Sequence, residues 1–148
     1  MRTRIKSLIA VGATAAASVG SLALGAAPAQ ASSSAAWHAA SICGSGYWPD
    51  DNGVFNLDGG TIYVSYNGST DCAVLLKSVY VGTPTDTWVY ISGPDGGYGG
   101  NGGDGRDSGN FTSYAGPVYA YAPGACIEVA GGTALPDDER WFYPVLCG

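Results

Sequence analysis

The sequence predicts an all-β domain: a small antiparallel β-sandwich or barrel of about seven or eight short strands, stapled by two disulfides. Short stretches rich in Val, Ile, Tyr and Trp recur with turn residues between them, as in sandwiches and barrels. The 24 glycines and 8 prolines interrupt any helical spacing of apolar residues, so no helix is expected after the leader. The four cysteines are an even number, as two disulfides require.

The start of the chain predicts a secretory signal peptide over residues 1–31. Three basic side chains among the first six residues precede an apolar stretch from Leu8 to about Gly25, and Ala29-Gln30-Ala31 fits a cleavage site. No later segment approaches the roughly 18 to 20 apolar residues of a membrane span. We therefore expect a secreted protein that has no membrane association once the leader is cleaved.

The rest of the chain predicts a flexible tail over 32–42 and a single β domain over 43–148. Without the leader, Lys77, Arg106 and Arg140 are the remaining basic residues against 12 Asp and Glu, so the protein is strongly acidic. Nucleic-acid binding needs a basic patch, and this balance excludes it.

Two disulfides are the expected state of Cys43, Cys72, Cys126 and Cys147 in an exported protein. A zinc site is disfavoured because no two of these cysteines form a CxxC pair. If 126–131 and 142–147 form a hairpin, Cys126 lies opposite Cys147, which favours the pairing 43–72 and 126–147. The alternative pairing, 43–147 with 72–126, stays open.

Strands are predicted from β-branched and aromatic runs in chain order. The first two are joined by the turn sequence NGSTD, and Pro84 marks the entry to the third. The fourth run contains Gly116-Pro117, which predicts two short strands because proline cannot donate to a ladder. The predicted strand runs are 61–66, 72–81, 86–92, 111–123, 126–132 and 140–148.

The segment GGNGGDGRD, residues 99–107, resembles one copy of a calcium-binding nonapeptide. Such repeats work by stacking, and this single copy has Arg106 where an apolar residue should face the coil interior. We predict a mobile glycine-rich surface loop over 93–109, with no metal and no cofactor. Whether the loop binds calcium through Asp95, Asn101, Asp104 and Asp107 stays open.

The sequence predicts that the protein is not an enzyme. The single histidine, His38, lies in the predicted tail, where nothing would orient it as a base. Glu128 lies inside a predicted strand, where alternation places it on the solvent face. The other acidic groups flank turns, where Asp is a common turn residue: Asp50, Asp51, Asp71, Asp86, Asp137, Asp138 and Glu139.

The 10 Tyr, 4 Trp and 3 Phe are the other feature with functional potential. Tyrosine is favoured on strands for packing alone, so most of these rings should belong to sheet faces and core. A subset could form a platform for a sugar or another ligand. The candidate ligand-binding aromatics are Trp48, Trp88, Tyr90, Tyr119 and Tyr121.

Five blocks of the chain together carry a resemblance: CGSGY (43–47), GGTIYVSYNGSTDCAV (59–74), GTPT (82–85), GNFTSYAGPVYAYAPGACI (109–127) and the final CG (147–148). These blocks resemble the spore-associated protein A family, small secreted proteins of filamentous spore-forming bacteria. The chain differs from the family pattern in its glycine-rich segment, which looks like an insertion, and in Val129, where an aromatic residue tends to follow the acidic one.

This resemblance implies a location, extracellular or on the spore surface, but no reaction and no binding site. The leading hypothesis is therefore a secreted, non-enzymatic protein of unknown biochemical activity that associates with the spore or hyphal wall surface. The alternative is a carbohydrate- or cell-wall-binding module that uses surface aromatics, and a small glycosidase-like enzyme is a third possibility.

Overall fold

A computed structural model describes residues 29–94 and 105–148, which form one helix and eight strands. Residues 1–28, most of the predicted signal peptide, lie outside the described residues, as does the centre of the glycine-rich segment. The elements are α1 Ala29–Cys43, β1 Trp48–Asn56, β2 Gly60–Tyr66, β3 Thr70–Lys77, β4 Thr85–Ser92, β5 Gly105–Phe111, β6 Tyr114–Tyr121, β7 Ile127–Thr133 and β8 Glu139–Val145.

The strands form two antiparallel four-stranded sheets that face each other. The first sheet has the order β1-β2-β3-β6 and the second has the order β5-β4-β7-β8. Alternate residues of each strand point into the space between the sheets, among them Ile62 and Leu75 from the first sheet and Val89 and Val129 from the second. The predicted all-β sandwich with two disulfides is confirmed.

The prediction of an unstructured tail over 32–42 is wrong, as is the expectation that the chain has no helix. Residues 29–43 form α1, which packs on the outer face of the first sheet. Ala36, Ala39 and Cys43 recur at helical spacing and are buried against Tyr63 and Val74. Alanine is the best helix former, but its small apolar stripe becomes informative only beside the sheet that covers it.

Both favoured disulfides are present. Cys43 at the end of α1 pairs with Cys72 on β3, so one bridge ties the helix to the first sheet. Cys126 pairs with Cys147 across the ends of β7 and β8, which form the predicted hairpin.

Several strand boundaries differ from the predictions, and the run 72–81, for example, is a strand only as far as Lys77. The glycine-rich loop was predicted to reach Gly109, but β5 begins at Gly105 because its backbone pairs with β4. The run 111–123 contains one strand, β6, instead of two. Gly116 adopts a positive φ of 102° beside a register shift in β6, so the strand continues through Gly116-Pro117. β1 was not predicted, since PDDNG at its centre is typical of a turn.

Candidate functional site

The five candidate aromatics lie on two different faces of the molecule. Trp48, Tyr119 and Tyr121 lie on the side of the first sheet, where α1 packs, and their side chains are 62%, 39% and 64% exposed. Trp88 and Tyr90 lie on the outer face of the second sheet and are buried. The structure therefore does not bring the five together into one platform.

On the helix side, Trp37 and Trp48 form an exposed pair. Their ring centroids are 5.7 Å apart and their planes are nearly perpendicular, an edge-to-face arrangement. Trp37 is 53% exposed, although its neighbours on α1, Ala36 and Ala40, are buried. Sequence reasoning missed Trp37 because it placed this segment in a tail.

Two tyrosines extend this pair across the surface. The rings of Tyr47 and Tyr119 are 5.8 Å apart, and the Tyr119 hydroxyl donates a hydrogen bond of 2.9 Å to the Cys43 carbonyl at the end of α1. Tyr121 lies two residues further along β6, on the same face as Tyr119. We call this group the aromatic ridge: Trp37, Tyr47, Trp48, Tyr119 and Tyr121.

An open depression lies between the helix and the loop that follows it, beside the ridge. Trp37 and Tyr47 line it together with Ala40, Ser41, Gly44 and Ser45. Its volume is about 320 Å³. The ridge therefore combines exposed ring faces with a shallow concave surface, and the Ser41 and Ser45 hydroxyls and the Gly44 backbone line that surface.

The aromatics of the second sheet pack on one another. The ring centroid of Trp141 on β8 lies 5.9 Å from that of Trp88 and 5.7 Å from that of Tyr90. The Arg106 guanidinium lies 4.6 Å from the centroid of the Trp88 ring. Because β7 presents Gly132 where Trp88 crosses it, the indole rests directly on the backbone. We call these four side chains the aromatic stack; Trp88 and Tyr90 within it have little exposed ring surface.

A third feature is an acidic cavity at one end of the sandwich. Asp50, Tyr66 and Asp71 line it, and its volume is about 110 Å³. Burial, and to a lesser degree the Asp50 carboxylate, raises the pKa of Asp71 to about 6. Burial, then Tyr119 and then Asp71, raises the pKa of the nearby Tyr47 phenol.

The prediction that Asp71 is a turn residue is wrong, because Asp71 lies on β3 and is 5% exposed. Asp138 is also buried, and its carboxylate accepts hydrogen bonds from the Asp58 and Gly59 amides and from the Thr133 hydroxyl. That carboxylate joins the β1–β2 turn to the β7–β8 loop and has a structural role.

Of the other polar side chains, Lys77 has a structural role, whereas His38 and Glu128 are at least partly exposed. The buried Lys77 ammonium donates to the carbonyls of Tyr80, Thr83 and Phe111 and to the Thr85 hydroxyl, so it organises the loop after β3. His38 is exposed on α1. Glu128 is half-buried on β7.

The calcium question falls mainly outside the described residues, where Asp95, Asn101 and Asp104 lie. Asp107 lies on β5, and its carboxylate accepts a hydrogen bond of 2.7 Å from the Gly116 amide. Within 29–94 and 105–148, no group of three His, Cys, Asp or Glu side chains could hold a metal ion. Within the same ranges, no helix is long and apolar enough to span a membrane.

Comparisons with known proteins identify a relative. No protein-family model and no solved structure matches the chain. Spore-associated protein A of Streptomyces coelicolor is 36% identical over 109 residues, which are 72% of this chain and 65% of the relative. The aligned region thus spans slightly less than two thirds of the relative's length. The resemblance predicted from the sequence is confirmed: this chain has a family relationship to spore-associated protein A.

Proposed function

We propose that this protein is a secreted, spore-associated binding protein that attaches to an uncharged wall polysaccharide through the aromatic ridge. The exposed Trp37–Trp48 pair carries the proposal, because ring faces that stay open to solvent are available to a partner. The relative named spore-associated protein A supports the spore setting, and the two disulfides suit an extracellular location.

The charge of the molecule favours an uncharged polymer. The chain has a formal net charge of −6, and its few basic side chains would attract an anionic wall polymer weakly. Stacking of a sugar on an indole instead depends on apolar contact, which a negative net charge does not oppose. The Trp37 and Trp48 rings are roughly perpendicular, so they would contact a polysaccharide chain on two of its sides.

Binding without catalysis is part of the proposal. His38 is exposed on α1, does not line the acidic cavity and has no carboxylate partner in the described structure. The Asp50 and Asp71 pair is the arrangement most like that of a glycosidase. Binding without catalysis nevertheless requires that no reducing ends are released when the protein is incubated with wall polysaccharides, and sustained release would overturn this part.

The test is a pull-down on purified spore wall, peptidoglycan and chitin. We expect saturable binding to at least one of them, weakened at least about tenfold by Trp37→Ala or Trp48→Ala and also reduced by Tyr121→Ala. Tyr143→Ala is the matched control, since Tyr143 is 71% exposed but lies on β8 of the second sheet. Equal losses in ridge and control variants, or no saturable binding, would contradict the proposal.

A further inference from the structure

The acidic cavity lies where the β2–β3 turn, the end of β6 and the end of β8 meet. Asp50, Tyr66 and Asp71 form its polar wall, and Ala122, Ala125 and Leu146 lie among the residues that complete it. A volume of about 110 Å³ is enough for a few water molecules or for the head group of a small ligand. The cavity is separate from the Trp37–Trp48 pair of the aromatic ridge.

Asp71 is the unusual group in this cavity. Only 5% of the residue is exposed, yet its carboxyl group makes no hydrogen bond within the described structure. Asp138, which is 1% exposed, has three donors. The second carboxylate, Asp50, accepts a hydrogen bond from the Asn52 amide. Burial raises the free energy of the ionised carboxylate, and a donor that enters the cavity would lower it.

We infer that this cavity binds a primary ammonium group carried on a short carbon chain. An ammonium offers three N–H donors and a positive charge to the Asp50 and Asp71 carboxylates, and the alanine and leucine side chains suit the attached carbon. A divalent cation fits less well, since calcium takes about 6 to 8 oxygen ligands and the cavity has two carboxylates. The site does not depend on the proposed polysaccharide binding.

Binding should be coupled to the ionisation of Asp71. Burial and Asp50 favour the protonated acid, whereas a bound ammonium favours the carboxylate. The other titratable groups around Asp71 are Asp50 on β1, Tyr66 on β2 and Tyr47 before β1; the residues that line the cavity from the ends of β6 and β8 have no titratable side chain. No basic side chain lines the cavity, so none would compete for Asp71.

The first experiment titrates the full protein with methylammonium chloride and follows backbone amide shifts by NMR. Tetramethylammonium chloride is the matched ligand, because it has the same charge but no N–H donor. At about pH 7.5 we expect saturable shifts at residues 66, 71 and 122 with methylammonium and none with the control. At about pH 5, where Asp71 is mostly protonated, the affinity should fall several-fold.

The second experiment repeats the titration with Asp71→Asn and Asp50→Asn. Each should weaken methylammonium binding at least about tenfold. Asp51→Asn should leave it unchanged, since Asp51 is exposed and does not line the cavity. If one variant fails to fold, the other variant and the two wild-type titrations still decide the matter. Absence of saturation up to about 100 mM, equal shifts with tetramethylammonium, or full binding by Asp71→Asn would overturn the inference.

Discussion

The two outer faces of this sandwich are covered in different ways. On the first sheet, α1 lies over Tyr63 and Val74 and is tied down by the Cys43–Cys72 bridge. On the second sheet, the outer face is covered by its own side chains, with Trp88 and Tyr90 packed beneath Trp141. Both sheets have four antiparallel strands, so strand pairing does not explain the difference.

Strand alternation places an aromatic ring on an outer face, but its neighbours decide whether the ring stays exposed. Tyr121 points outward at the end of β6 and remains 64% exposed. Trp88 also points outward but is 7% exposed, because Gly132 lets it lie on the backbone and Trp141 packs beside it. The helix-covered face therefore buries Tyr63 beneath α1 and keeps Tyr119 and Tyr121 exposed at its border.

The largest expected effects come from removing one disulfide at a time. By the chain-entropy argument, a bridge that closes a loop of this size contributes about 3 to 4 kcal/mol, and the two separations, 29 and 21 residues, are similar. We expect a similar loss in the free energy of unfolding for Cys43→Ser/Cys72→Ser and for Cys126→Ser/Cys147→Ser, measured by denaturant titration.

Hydrogen exchange should separate the two variants. The first double variant should lose amide protection throughout α1, because the covalent tie to β3 is gone and the helix packs on the sheet mainly through small alanine side chains. The second should keep that protection and lose it at the ends of β7 and β8. Equal protection of α1 in both would mean that packing alone docks the helix.

The next effect concerns Asp71, at the border of the first sheet, and it depends on pH. Its pKa rises from the ordinary value of 3.8 to about 6 in the folded protein. Below about pH 3 the acid is mostly protonated in both states, so its burial does not lower the free energy of unfolding. As the pH rises towards 6, the unfolded chain loses the proton first, so the free energy of unfolding falls, by about 2 to 3 kcal/mol in total.

Asp71→Asn isolates this contribution, because all other carboxylates titrate in both proteins. The difference in unfolding free energy, variant minus wild type, should be near zero or negative at pH 4 and should rise by about 2 to 3 kcal/mol by pH 7. Denaturant titrations at several pH values measure it. A difference that does not change between pH 4 and 7 would contradict the raised pKa.

On the second sheet, Gly132→Ala tests whether the aromatic stack depends on backbone contact. A Cβ at this position would lie 2.5 Å from Trp88 Nε1, so the indole must move. We expect a loss of about 2 kcal/mol from overpacking, with a red shift of tryptophan emission. Gly109→Ala is the control on the same sheet, because its Cβ meets Phe111 no closer than 3.4 Å. Equal losses would point to glycine flexibility instead.

Much of the fold could be predicted because it depends on local patterns. Alternating runs predicted β2, β4, β7 and β8 within a few residues, and the β7–β8 hairpin favoured the correct cysteine pairing. α1 and β5 could not be found this way. An alanine stripe becomes a helix through its contact with the first sheet, and GRDSGNF becomes a strand because β4 offers an unpaired edge.

The candidate site was predictable only where local strand patterns place its residues. Trp48, Tyr119 and Tyr121 are exposed, but their partners Trp37 and Tyr47 precede β1, in a segment whose position is set by the Cys43–Cys72 bridge. The acidic cavity joins Asp50 and Asp71 from different strands with residues that follow β6 and β8. Because these residues are far apart in the sequence, no local spacing could predict that they line one cavity.

The smallest predicted effect concerns Arg106, at the rim of the aromatic stack. Its guanidinium lies 4.6 Å from the Trp88 ring centroid and is exposed, so the cation–π contact should contribute about 0.5 to 1 kcal/mol. A double-mutant cycle of Arg106→Ala with Trp88→Phe, measured by denaturant titration, should give a coupling energy of that size. Asn110→Ala, at an outward position of β5 that pairs with Asp86 instead of Trp88, should show no coupling beyond error. If Arg106→Ala lowers the free energy of unfolding by the same amount in the Trp88→Phe background as in the wild type, there is no cation–π coupling. Arg106 then acts through its aliphatic stem, and apolar packing alone holds the stack.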